Sequence, residues 1–222
     1  MQKQKSKKIL LYFFLFLSIG TLNNKNFIGK NFAEVNKISI KGLDEKNNFQ
    51  IKKRISYLKL DNLFFVDKVQ IGKIIQSNNL VESFTVFKIY PSTLDININK
   101  TNFLVRIKRK DKYYILGSNG KLIESNNDEN IPFVFGDFKV KNFLRLKEAI
   151  DQTNFDFGNI KNLFSFKSGR WDIETRDGVK ILLPKNKVKE SLELFLLFSK
   201  ENEKNDIKKF DLRQHNQVIT NG

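Results

Sequence analysis

The chain has 222 residues, 40% of them hydrophobic, which is enough for one or two ordinary cores and excludes a wholly disordered protein. It has no cysteine and one histidine, His215, so disulfides, cysteine-held zinc or iron-sulfur sites and His-paired metal sites are excluded. The formal charge of +16 comes from lysines scattered among Asn, Ile and Phe along the whole length, which reads as a solvated surface rather than a nucleic-acid patch. An anionic lipid or an acidic partner stays compatible with it.

MQKQKSKK places Lys3, Lys5, Lys7 and Lys8 directly ahead of ILLYFFLFLSIGTL, an uncharged apolar run from Ile9 to Leu22. At about 1.5 Å per residue, a helix of this run falls short of the roughly 30 Å hydrocarbon thickness. By length it suits a signal-peptide core, with Ser18 and Gly20 as a small-x-small cleavage site. Continued through NNKNFIG to about Ile28, with Lys25 snorkelling toward the outer interface, it would instead span. In either case the leading lysines hold the N-terminus inside and put everything after about residue 30 across the membrane.

VNKISIKG alternates Ile38 and Ile40 with Lys37, Ser39 and Lys41, a strand closed by Gly42. FQIKKRISYL has Ile51, Ile55 and Leu58 at helical spacing. A second short helix begins at Asp67, whose carboxylate caps the Gln70 amide while Val66 staples onto Ile71, and Ile71, Ile74 and Ile75 form its buried stripe. Two strands follow, VESFTVFKI and LDININ, joined by YPST; in the second, Leu94, Ile96 and Ile98 face inward. Strand, helix, helix, strand, strand in about 65 residues makes a unit able to fold alone.

Beyond it, Asn119-Gly120 marks a tight hairpin between YYILGS and KLI. In RWDIETRDGVKILLP, a two-residue turn would set Glu174 against Ile181. A three-residue loop, Arg176-Asp177-Gly178, instead pairs Thr175 with Val179, Ile173 with Ile181 and Trp171 with Leu183, and the buried face favours it. Trp171 is then a core residue. A helix from about Lys187 to Lys200, capped by Asn186, carries Val188, Leu192, Phe195 and Ser199 in one stripe, widened by Leu194, Leu197 and Phe198. So wide a face needs a sheet as cover, and the result is a mostly antiparallel sheet with helices on one side.

No catalytic motif emerges. There is no G-x-S-x-G elbow or phosphate loop, Asp172, Glu174 and Asp177 are explained by turn chemistry, and His215 falls on the outward side of the last strand. That last strand raises its own question. In KKFDLRQHNQVITNG, Phe210 and Leu212 alternate with Asp211 and Arg213, but Gln214 and Asn216 stand where further inward apolar residues belong. A strand so weakly specified is expected to leave backbone N-H and C=O groups open to another chain, which binds by strand addition. Phe210, Asp211, Leu212, Arg213, Gln214 and His215 are the candidate partner-binding residues, with Leu212 as the anchor and Arg213 facing an acidic partner group.

The order VNKISIKG, NLFFVD, VESFTVFKIYPSTLDINI resembles the POTRA domain of the bacterial cell-division proteins of the FtsQ/DivIB family. YYILGSNGKLI, IPFVFG, RWDIETRDGVKILLP and FDLR resemble that family's later signatures, so the likeness runs from residue 1 to about 219. The family's E-R-x-P element is replaced by Asn99, Lys100, Thr101 and Asn102. The resemblance implies an α+β fold: a cytoplasmic N-terminus (1–8), a transmembrane helix (9–28), a β-α-α-β-β POTRA domain (33–101), an FtsQ-type β domain (102–219) and a tail (220–222). It implies a non-enzymatic single-pass scaffold of the inner membrane at the division septum, without cofactor, small-molecule substrate or nucleic acid. Its C-terminal edge would receive a strand of FtsB, with FtsL in the same complex, and the POTRA domain would serve recruitment through FtsK and other early components. Of the candidate residues, Asp211, Leu212 and Arg213 match the family pattern. A secreted, POTRA-bearing chaperone or assembly factor for outer-membrane or exported polypeptides is the alternative.

Overall fold

The apolar residues of LDININ fall on every second position, and in the computed structural model Leu94 and Ile96 are fully buried on a strand of a three-stranded sheet. The structure describes residues 3–21, 33–58, 60–125, 130–201, 207–214 and 217–221. The chain divides into two compact units, residues 1–74 with 85–97, and residues 75–84 with 98–222.

The first unit opens with helix α1 (Lys3–Thr21). Among the described residues, no helix is long and apolar enough to cross a membrane, and the expected span over 9–28 is not seen. Lys3, Lys5, Lys7 and Lys8 occupy the first turns of α1, which shortens its apolar part; the expected continuation over 22–28 lies outside the described residues. Strand β1 (Lys37–Lys41), helix α2 (Glu45–Ser56), a 3-10 turn (Leu63–Phe65), helix α3 (Lys68–Gln76) and strands β2 (Val81–Ile89) and β3 (Thr93–Lys100) follow in the expected order. The sheet order is β1-β3-β2, with β1 parallel to β3, Ile38 opposite Leu94 and Ile40 opposite Ile96. Asp44 starts α2 by accepting the Asn47 amide, a cap that pattern reading missed. Asp67 accepts the amides of Val69 (2.8 Å) and Gln70 (3.3 Å), the expected cap of α3. Ile51, Ile55, Leu63 and Ile71 are buried in this unit.

The second unit is built on nine strands. They are β4 (Phe103–Arg109), β5 (Lys112–Gly117), β6 (Leu122–Glu124), β7 (Phe133–Phe135), β8 (Ile160–Ser165), β9 (Trp171–Thr175), β10 (Lys180–Leu182), β11 (Lys209–Asp211) and β12 (Ile219–Asn221). Their order is β12-β11-β10-β9-β8-β7-β4-β5-β6. Parallel pairing is confined to β10 with β11, β8 with β7 and β7 with β4, so the sheet is mostly antiparallel, as expected. Register sorts the side chains into two rows running across the sheet. Val134, Leu163, Ile173, Ile181, Phe210 and Thr220 are successive partners in one row; Phe135, Phe164, Asp172, Leu182, Asp211 and Ile219 are successive partners in the other.

The first row is the core. Helices α4 (Val140–Asp151) and α5 (Val188–Glu201) bury Phe143, Leu146, Ile150, Leu192 and Phe195 against it. Trp171 is a core residue, its ring 5.4 Å from that of Phe138 and 6.2 Å from that of Phe143. Ring pairs of this kind add about 0.5–1.5 kcal/mol beyond their buried area. Leu194 is only half-buried and Leu197 is 65% exposed, so the wide apolar face expected for α5 is not fully covered. Asn186 does not cap this helix: Lys187, at φ 61°, precedes Val188, and Asn186 makes no capping bond among the described residues.

The loop at 176–178 has the expected register. Ile173 lies opposite Ile181, Leu183 N donates to Trp171 O (3.2 Å), and Thr175 N donates to Val179 O (2.9 Å). Gly178, at φ 87°, takes the left-handed position that L side chains avoid. The Ser118-Asn119-Gly120 loop repeats the construction: Gly117 N donates to Lys121 O (3.0 Å), Gly120 N donates to Gly117 O (2.9 Å), and Gly120 has φ 74°.

Within the same unit, Thr101 and Asn102 belong to a polar hub. Thr101 is buried; its hydroxyl donates to Glu82 Oε2 (2.8 Å) and accepts the Asn119 amide (3.2 Å), while Ser118 Oγ donates to the same Glu82 oxygen (2.7 Å). Asn119 Nδ2 donates to the carbonyls of Asn79 and Val81, each at 2.9 Å. A buried hydroxyl is stable here because it both donates, to Glu82, and accepts, from the Asn119 amide.

Candidate functional site

The candidate site is the C-terminal end of the long sheet, and it is assembled outward from the core. β10 turns into α5, and α5 returns the chain to β11, which lies parallel to β10 with Leu212 N donating to Leu182 O (2.9 Å) and Lys180 N donating to Lys208 O (2.9 Å). Phe210 is fixed by two rings of α5, Phe195 at 4.9 Å in an edge-to-face pair and Phe198 at 6.1 Å. Leu212 is buried as well. These two are therefore anchors of β11, and no partner reaches their side chains without opening the core.

Beyond β11 the expectation of an open edge is corrected. β12 pairs antiparallel with β11, Lys209 opposite Asn221, Phe210 opposite Thr220 and Asp211 opposite Ile219, so the backbone of Lys209–Asp211 is paired on both sides. The free edge is one strand further out. Thr220 and Asn221, expected to trail as a tail, belong to it. The cause is visible in the sequence after the fact: Val218, Ile219 and Thr220 are a β-branched run, and a loop through Gln214, whose carbonyl accepts from Gln217 N (3.4 Å), carries the chain back alongside β11. On β12, Ile219 is 49% exposed and Thr220 is half-buried at the end of the core row.

Arg213 is exposed and already holds an acidic group of its own chain. Its Nε donates to Asp211 Oδ1 (2.7 Å), its Nη2 pairs with Asp211 Oδ2, and its amide also donates to Asp211 Oδ1 (3.1 Å). This fork holds the Asp211 carboxyl below the usual carboxylate range and the Arg213 guanidinium above its own. Asp172, in the same row of the sheet, shifts the other way: burial raises it, and the Arg170 guanidinium, 3.3 Å away, offsets only part of that. Gln214 is exposed and, with Leu212, Leu194 and Leu197, lines a shallow cavity of about 280 Å³. His215 lies outside the described residues. The structure thus brings Phe210, Asp211, Leu212, Arg213 and Gln214 together beside the edge, while Ile219, Thr220 and Asn221 form the edge itself. Among the described residues, no cluster of acidic and imidazole groups is placed to hold a metal ion.

Comparison with known proteins bears on both units. The model of the FtsQ-type POTRA domain matches residues 33–100, and that of the C-terminal domain of the cell division protein FtsQ/DivIB matches residues 105–213. The chain is 24% identical to the cell division protein FtsQ of Bradyrhizobium diazoefficiens over 71% of its own length and 48% of that protein's. It is 26% identical to the cell division protein DivIB of Staphylococcus aureus over 53% of its own length and 24% of that protein's. It therefore spans about half of one relative and a quarter of the other. The extracytoplasmic domain of DivIB from Geobacillus stearothermophilus aligns at 10% identity and a TM-score of 0.35, over 48% of this chain and 98% of that one. With its POTRA and C-terminal domains matched in order along one chain, the protein belongs to the FtsQ/DivIB family of cell-division proteins.

Proposed function

We propose that the chain is a non-enzymatic scaffold of the bacterial divisome that captures a strand of another division protein along the outer side of β12. The observation that carries this reading is the position of β12: it ends the nine-stranded sheet, with no strand beyond it among the described residues. An outermost strand offers a row of backbone donors and acceptors, which give affinity, while alternate side chains give selection. The captured strand is assigned to FtsB, in complex with FtsL, and the POTRA unit to recruitment through FtsK and other division proteins. In this reading, the apolar run from Ile9 anchors the protein in the inner membrane at the septum, with the N-terminus in the cytoplasm and both units in the periplasm. Helix α1 supports that anchor: its side chains from Ile9 to Leu17 are exposed and apolar on all sides, the pattern of a helix solvated by lipid.

The test is a photo-crosslinking side chain placed at Ile219 or Asn221 of the full chain in dividing cells, with Leu122 and Glu124 of β6 as the matched pair at the opposite edge. Capture of FtsB from the β12 positions alone is the expected result. Capture only from β6, or no division protein caught from β12, would overturn the reading.

A further inference from the structure

Beyond α1, Phe49 and Tyr57, the exposed large apolar side chains of the first unit come from residues 64–69 and 87–90, at one end of it. Phe65 is 86% exposed, Phe64 50% and Tyr90 53%, and Val69, Phe87 and Ile89 are exposed beside them in the sequence. The two segments meet: the rings of Phe64 and Tyr90 lie 4.7 Å apart, and Lys88 Nζ donates to Phe64 O (2.9 Å).

The same end is where the chain comes in from α1. Leu63 N donates to Ala33 O (2.6 Å), directly ahead of Phe64, and the amides of Asn36 and Lys37 both donate to Ser92 O (3.0 and 3.2 Å), two residues past Tyr90. Twelve peptide steps separate Thr21, the last residue of α1, from Ala33, and at no more than about 3.6 Å per residue they reach at most roughly 43 Å. Whatever holds α1 therefore keeps this end of the unit within that distance.

We infer that Phe64, Phe65, Val69 and Tyr90 dock this end of the first unit into the headgroup interface of the bilayer that holds α1. The inference rests on the membrane-anchored reading above and adds a second, reversible contact to it. Tyr90 suits that interface because its ring is apolar and its hydroxyl polar, as in interfacial aromatic belts, while Phe64, Phe65 and Val69 supply the apolar area that is buried at the headgroup boundary. Burial of apolar area supplies the attraction.

The chain has no cysteine, so a single introduced one gives a unique labelling site. The full chain is reconstituted in vesicles of phosphatidylethanolamine and phosphatidylglycerol, with a fluorophore at Val69→Cys, at Asn97→Cys, or at Phe14→Cys within α1, and quenched by lipids carrying a spin label at headgroup or acyl depth. The expected result is headgroup-level quenching at Val69 several-fold greater than at Asn97, lost when Phe64→Ser and Phe65→Ser are combined with the label. Equal quenching at Val69 and Asn97, with Phe14 quenched from acyl depth, would overturn the docking and leave the anchor standing. A Phe14 label untouched by either quencher would overturn both.

Discussion

The two edges of the nine-stranded sheet are finished differently. At the β6 edge a side chain from outside the strand takes up one backbone acceptor, Asn79 Nδ2 donating to Leu122 O (2.8 Å), and beside it Lys121 Nζ donates to Gln76 O and Glu124 is paired to Lys112 (2.7 Å). At the β12 edge no such side-chain bond is made among the described residues, although Phe210 and Leu212 hold the neighbouring strand firmly. An edge strand left bare over a well-anchored neighbour is a template for pairing, whereas one bonded by an amide side chain is closed to it. The contrast teaches that exposure of an edge is set by what lies outside the strand, not by how the strand itself is packed.

Three changes break or sharpen that contrast. The largest effect is expected from Phe210→Ala, which empties the pocket between Phe195 and Phe198 and costs about 3–5 kcal/mol, read as a lower midpoint in denaturant unfolding. Asn79→Ala is smaller, about 0.5–1.5 kcal/mol, because it removes one exposed donor from the Leu122 carbonyl; its sharper readout is a new crosslink or self-association at β6, with capture at β12 unchanged. A β12 signal that falls with Asn79→Ala would show that the edges are not independent.

The smallest effect lies in the acid range. Asp211, held low by Arg213, contributes stability that is present above the ordinary carboxylate pKa and lost as pH falls through its own lowered value. Asp172, raised by burial, has the opposite sign: the folded state gains as pH falls through that raised value. Arg213→Gln removes the fork and also a positive charge that restrains Asp172, so the Asp211 carboxyl titrates higher and the Asp172 carboxyl higher still, both followed by NMR. An Asp211 carboxyl that does not move would show that Arg213 is not its partner in solution.

How much of this was legible in the sequence depends on the range of the interaction. The loop at 176–178 was readable because one alternative register buried Glu174 against Ile181 and the other did not, a choice settled by neighbouring residues alone. The inward positions of β3, the Asp67 cap and the core place of Trp171 were readable for similar reasons. The outer edge was not. Gln214 ended the apolar alternation, and nothing local shows that Val218-Ile219-Thr220 doubles back to cover β11, because that pairing is decided by a backbone already in place. Asn186 looked like a helix cap because capping residues and ordinary turn residues are the same types. The hub around Thr101 was invisible for a third reason: its partners Glu82 and Ser118 come from distant parts of the sequence.

The antiparallel seam between β11 and β12 also has a mechanical meaning. A peptide lodged outside β12 and tugged along its own axis loads the bonds of that seam together, in shear, rather than peeling them one after another. The strain would pass through the ring of Phe210 into α5, so the stretch of chain most open to a visitor is backed by the part of the domain least able to slide.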